Sequence, residues 1–128
     1  MPENDPSVAH RHREVFDREL FAVKEGIVRM GEQVGAAIDA AVAALTAQDI
    51  AAAQAVIAAD PAINDAQAEL TALIITTIAT QAPVAGDLRI LISLYHVTYE
   101  LERIGDRVTN IAEEVVFLST GAVEDLNP

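Results

Sequence analysis

The chain has 128 residues, a net charge of −12 and no cysteine or tryptophan. That length gives one domain with a modest core, near the size where a partner chain often helps. The composition excludes a disulfide framework, a thiolate zinc site and a cysteine nucleophile. The negative charge opposes binding to nucleic acid or anionic lipid, and it suits a chain that attracts cations or basic surfaces.

Residues 1–8 carry Pro2 and Pro6 among small polar residues and read as a disordered lead-in. The opening MPENDPSVAHRHRE has no apolar core of signal-peptide length. No run reaches the ~18–20 apolar residues of a membrane span. The expectation is a cytoplasmic protein with no direct membrane insertion. His10 and His12, two apart, fall on different helix faces and read as surface residues.

The first helix is expected from about Arg11 to Ala47. Phe16, Leu20, Val23, Ile27, Met30, Val34, Ile38, Ala41 and Leu45 recur at threes and fours, close to a heptad seam. Gly26, Gly31 and Gly35 each weaken this helix by ~1 kcal/mol relative to alanine, and close approach of a neighbouring helix is the reason to keep them.

Gln48-Asp49 interrupts the pattern, with Asp49 as N-cap of a second helix. Pro61 predicts a kink or a break there, with Asp60 capping the new segment. The β-branched TALIITTIAT segment lacks polar alternation and is read as helical, carrying the helix to about Gln81.

A turn through Pro83 and Gly86 leads to a third helix, capped by Asp87 and ending near Gly121. Leu94, Leu101, Ile104, Val108, Ile111, Val115 and Leu118 form its apolar seam. Glu102, Asp106, Asn110 and Glu113 follow a second line, spaced four, four and three. At ~100° per residue that line lies about 165° from the mean direction of the seam. Like charges four apart destabilise a helix by a few tenths of a kcal/mol, and Arg103 and Arg107 flank the line without cancelling it. A solvated acidic face explains the line, and so does a divalent or trivalent cation held by oxygen ligands.

The fold expected is all-α: an antiparallel up-down-up bundle of three helices over residues 9–120, with a loose acidic tail at 121–128. There is no sheet signal and no solenoid repeat. No nucleophile–base pair or Gly-rich phosphate loop appears, so no catalytic residues are assigned and the protein is not read as an enzyme. His96, Tyr95 and Tyr99 read as packing or surface residues, and Arg89 as part of the anchor of the third helix.

The segments FDREL, RMGEQV, VIAADPAIN, ATQAPVAGDLR and above all ELERIGDRVTNIAEEV resemble the PhoU family across nearly the whole chain. The resemblance implies a cytoplasmic regulator that restrains phosphate uptake and phosphate-starvation signalling, with a phosphate ABC transporter ATPase and a sensor histidine kinase as partners. It also implies metal bound at an E/D-xxx-D motif, which falls here on Glu102 and Asp106 and is extended by Asn110 and Glu113. Iron, zinc, magnesium and manganese are the candidate ions. Asp60 and Asn64 form a weaker second group, for which a cap and a solvated face is the preferred reading. Members of the family usually carry two such three-helix repeats and this chain carries one, so a homodimer is expected. Two rival readings stand beside this one. The first is a metal-independent acidic interaction module. The second is a carboxylate-bridged di-metal protein of ferritin type, which needs Glu-x-x-His motifs that the sequence lacks.

Overall fold

A computed structural model describes residues 6–126, with side chains through residue 121. Three α-helices run up, down and up: α1 (Pro6–Ala47), α2 (Ile50–Gln81) and α3 (Ala85–Leu126). Each packs on both others, and among the described residues there is no strand. The all-helical three-helix bundle read from periodicity is the observed fold.

The α1–α2 turn uses two residues for both helices. Gln48 takes the left-handed conformation at φ 50°, its N–H donates to the Leu45 carbonyl, and the Asp49 N–H donates to the Ala44 carbonyl. This Schellman arrangement closes α1. The Asp49 carboxylate then accepts from the Ala52 N–H at 3.0 Å and caps α2.

Several element boundaries differ from the sequence reading. Helix α1 begins at Pro6, because proline is tolerated in a first helical turn, where its missing N–H has no partner to lose. Asp87 is not the cap of α3 but lies in its first turn, where its carboxylate accepts from Arg13 at 2.6 Å. Gly121 has no positive φ and does not end α3, which runs on to Leu126. Residues 1–5 of the expected lead-in and 127–128 of the expected tail lie outside the described residues. Pro61 lies inside an unbroken α2, so Asp60 is not a cap. Burial of Val56 and Ile63 on either side holds the helix together, against a cost of ~3 kcal/mol for an interior proline.

The core has three tiers. Phe16, Val23, Ile74 and Leu91 fill the end nearest the α2–α3 turn. Met30, Val34, Ile63 and Leu70 fill the middle. Ala41, Ala44, Ala53, Val56, Val108, Ala112 and Val115 fill the far end. Each large side chain buried this way contributes about 1.5–3 kcal/mol.

The core seams are rotated from the sequence expectation. On α3, Leu94, Leu101, Val108 and Val115 do face inward, but Ile104, Ile111 and Leu118 are exposed. Leu91, Thr98, Gly105 and Ala112 are buried in their place. On α1, Ala37 and Ala44 pack against the core while Ile38 and Leu45 are exposed. Small residues win because they allow close approach: a Cβ at Gly105 would lie 3.3 Å from Ile63, and one at Gly26 would collide with the Leu70 side chain. Gly31 and Gly35 differ, since a Cβ at either meets nothing within 4 Å. The rotation leaves the polar line of α3 about 115° from its buried seam rather than opposite it, so that line flanks the groove between α3 and α2.

Candidate metal centre

The flank of α3 beside α2 carries Glu102 and Asp106, one turn apart and facing the same way. The facing flank of α2 carries Asp60 and Asn64 at the same spacing. Ile63 packs on Gly105, which sets these two pairs side by side across the antiparallel α2–α3 interface. Glu102 and Asp60 are half-buried, and Asp106 and Asn64 are exposed. The Asn64 Nδ2 donates to Asp60 Oδ2 at 3.3 Å. The other oxygen, Asp60 Oδ1, is buried without a hydrogen-bond partner.

Glu102 records the crowding of charge. Its carboxyl is raised above the usual range, first by burial, then by a side-chain hydrogen bond with Asp106, then by the negative charges of Asp106 and Asp60. These neighbours make the Glu102 carboxyl harder to ionise, and a cation between the carboxylates would relieve the same repulsion. No basic side chain relieves it. Among the described residues the ion pairs are His10–Glu14, Arg13–Asp17, Arg13–Asp87 and Arg103–Glu100.

The donor set is oxygen throughout, which fits a hard cation. The orphaned Asp60 Oδ1 fits it as well, since a buried acceptor without a partner is unfavourable until a cation, proton or water reaches it. Among the described residues no three His, Asp or Glu side chains already stand as a ligating group. Asp60, Glu102 and Asp106 are neighbours whose side chains would have to close on an ion.

The structure therefore groups the sequence candidates differently from the linear motif. Glu102 and Asp106 are joined by Asp60 and Asn64, which the sequence reading had preferred as a cap and a solvated face. Glu113 lies about 10 Å further along α3, beside a groove lined by Ile57, Val116 and Phe117. Asn110 is exposed between them. The signal for the second pair was present in the sequence: DxxxN on one helix of an antiparallel hairpin mirrors ExxxD on the other. Tyr95 and Tyr99 are exposed, and the Tyr95 ring meets His96 edge-on at 5.9 Å.

A family model described as "PhoU domain" matches residues 27–115. This chain belongs to the PhoU family. A phosphate-specific transport system accessory protein PhoU homolog from Aquifex aeolicus is 37% identical over 102 residues, covering 80% of this chain and 46% of the relative. One from Pseudomonas putida is 34% identical over 115 residues, covering 90% and 45%. One from Rhizobium meliloti is 32% identical over 117 residues, covering 91% and 49%. The chain spans about half the length of these curated PhoU relatives. Among the described residues, no helix is long and apolar enough to cross a membrane.

Proposed function

We propose that this PhoU-family chain is a regulatory, non-catalytic accessory of phosphate transport, and that it holds a metal ion on the α2–α3 face. Asp60, Asn64, Glu102 and Asp106 would be the ligands. A bound divalent or trivalent cation supplies the positive charge that the four side chains lack and ties the middle of α2 to α3. The observation that carries this reading is the pairing of DxxxN with ExxxD across two helices around the partnerless Asp60 Oδ1. The named role of the relatives in phosphate-specific transport supports the biological setting. In that setting the chain restrains phosphate uptake and phosphate-starvation signalling from the cytoplasm, through contacts with the transporter ATPase and a sensor histidine kinase. Two copies pair to supply the two repeats that the family resemblance implies.

Elemental analysis of protein purified without chelator tests the metal. Stoichiometric iron, zinc, manganese or magnesium in the wild type, lost in Glu102→Ala/Asp106→Ala with helicity unchanged, supports the site. Metal retained in the double variant places the site elsewhere. Wild-type protein that takes up none of these metals on titration favours the metal-independent acidic docking face. For the regulatory role, deletion of the gene should release phosphate-starvation genes from repression in phosphate-replete cells. Unchanged repression in a strain without a paralogue counts against it.

A further inference from the structure

Two cavities, of about 450 and 480 Å³, lie end to end along the groove between α1 and α2 and share Gln33 and Ala62 in their linings. On α1 they extend from Ala22 to Ala40, about 27 Å or five helical turns. The floor is apolar. Met30, Leu70 and Leu73 form it at one end, and Ala36, Ala40, Ala55 and Ala59 at the other. Where the alanines stand, a larger apolar side chain from outside can enter.

The walls of the groove are acidic. Asp65 and Glu69 line it on α2. On α1, Glu25, Glu32 and Asp39 are exposed, each within one turn of the lining positions Ala22, Arg29, Ala36 and Ala40. These three stand seven residues apart, so a carboxylate recurs about every two turns along the rim. Helix α2 carries no Lys, Arg or His, and neither does α1 beyond Arg29. Arg29 is the base that lines the groove, and among the described residues neither it nor the five carboxylates forms an ion pair.

We propose that this groove docks a basic amphipathic helix of a partner protein. The apolar seam of that helix lies over the two cavities, and its lysines or arginines, spaced by sevens, face Glu25, Glu32 and Asp39. An apolar floor between walls of one charge is the arrangement by which a groove recognises an amphipathic helix, and the wall charge selects the occupant. A second copy fits poorly: α2 has no base, the bases of α1 alternate with Glu14, Asp17, Glu19 and Glu25, and those of α3 with Glu100, Glu102 and Asp106. The acidic walls repel nucleic acid and anionic lipid alike. The footprint, about 10 Å wide and 27 Å long, is small against the ~800 Å² that each partner gives a permanent interface. It suits a contact that forms and releases. The groove adds a surface and a partner chemistry to the regulatory reading, and it lies on the opposite flank of α2 from Asp60 and Asn64.

Fluorescence anisotropy on the full chain tests the proposal. The probe is a labelled peptide of about eighteen residues with a Leu/Ala seam flanked by lysines at seven-residue spacing, and a scrambled peptide of the same composition is the comparator. The wild type should bind the amphipathic peptide with a Kd of tens of micromolar or tighter, and the scrambled one at least ~10-fold more weakly. Asp65→Lys/Glu69→Lys reverses the wall charge, and Ala55→Gln fills the apolar floor without changing charge. Each should weaken binding at least ~10-fold with helicity unchanged by circular dichroism. Glu100→Lys/Glu114→Lys alters net charge equally on α3 and should weaken it less than ~3-fold. No binding at about 200 µM peptide overturns the proposal, and so does equal binding of the scrambled peptide or equal weakening by the α3 variant. Should a groove variant fold poorly, amide shifts of the wild type on peptide titration decide. Shifts over residues 22–40 and 52–73 support the groove, and shifts centred on Glu102 and Asp106 move docking to the α2–α3 face and overturn it. A deletion strain with unchanged phosphate-starvation repression sinks the regulatory reading and leaves the peptide result standing.

Discussion

The two flanks of α3 are unfavourable in opposite ways. Toward α2 the helix sets Glu102 and Asp106 near Asp60 with no basic partner, so the flank is rich in charge and short of counter-charge. Away from α2 it sets five large apolar side chains in a row with nothing over them. The first deficit is electrostatic: it responds to pH, and one bound ion would meet it. The second is hydrophobic: half-exposed apolar side chains would be covered by another apolar surface. One helix therefore carries two separable unmet demands on either side of its buried seam, and perturbations can be chosen that touch one and spare the other.

The largest effect is expected from neither flank. Leu91→Ala, at a fully buried seam position, should cost about 2–5 kcal/mol in chemical denaturation, whether or not metal or salt is present. It defines what a core defect looks like, and a flank variant that matched it would break the comparison.

Next is the carboxylate flank. Glu102→Ala/Asp106→Ala should lower metal affinity at least ~100-fold by calorimetry, since even supporting groups around a metal give 10–100-fold losses. The same variant should make the metal-free protein slightly more stable, by about 0.3 kcal/mol, because it removes a like-charge pair one turn apart. Loss of stability without metal would show that the two carboxylates hold the fold together rather than strain it.

A smaller effect is expected from pH. A carboxyl raised in the folded state contributes stability that is fully present below its unfolded pKa and is lost as pH rises through the folded value. Glu102 is raised by burial and by its acidic neighbours. The metal-free protein should therefore lose melting temperature as pH climbs from the usual carboxylate range through that raised value. Glu102→Gln should flatten this slope, and Asp60→Asn should reduce it. A slope unchanged in Glu102→Gln would assign it to other groups.

Salt should produce the smallest change, and only on the apolar side. At a net charge of −12 two copies repel each other, so sedimentation should show a few-fold tighter dimer at 0.5 M than at 0.05 M salt, with the repulsion screened. A dimer loosened by salt would mean that attraction between charges, not apolar burial, holds it.

The sequence made the number and type of the helices plain, because apolar spacing at threes and fours persists over each of them. Asp49 was legible as a cap because its side-chain chemistry is local. The facing of the seams was not, and the reason is physical. Hydrophobic size marks Ile104, Ile111, Ile38 and Leu45 as core, whereas helix approach selects Gly105, Ala112, Ala37 and Ala44. A large residue outside and a small one inside give the same periodicity with a rotated phase. The same rotation hid the facing of the two polar pairs. With the seam misplaced, Glu102 and Asp106 face open solvent and Asp60 looks like a helix cap. With it corrected, the carboxylates of two helices meet. Pro61 does not break α2, since a local rule against interior proline yields to burial on both sides of it.

The contact of Ile63 with Gly105 acts as a pin between two ladders. Ile63 stands one residue before Asn64, and Gly105 one before Asp106, so the absence of a side chain at Gly105 fixes which rung of α2 faces which rung of α3. A methyl group there would have to push Ile63 by a few tenths of an ångström, and the slip would shift Asn64 and Asp106, which lie one step from the contact in opposite directions along the interface. Alignment of the two polar pairs is thus set by an atom that is missing from the packing, and bulk at this position would shift them without touching any of their charges.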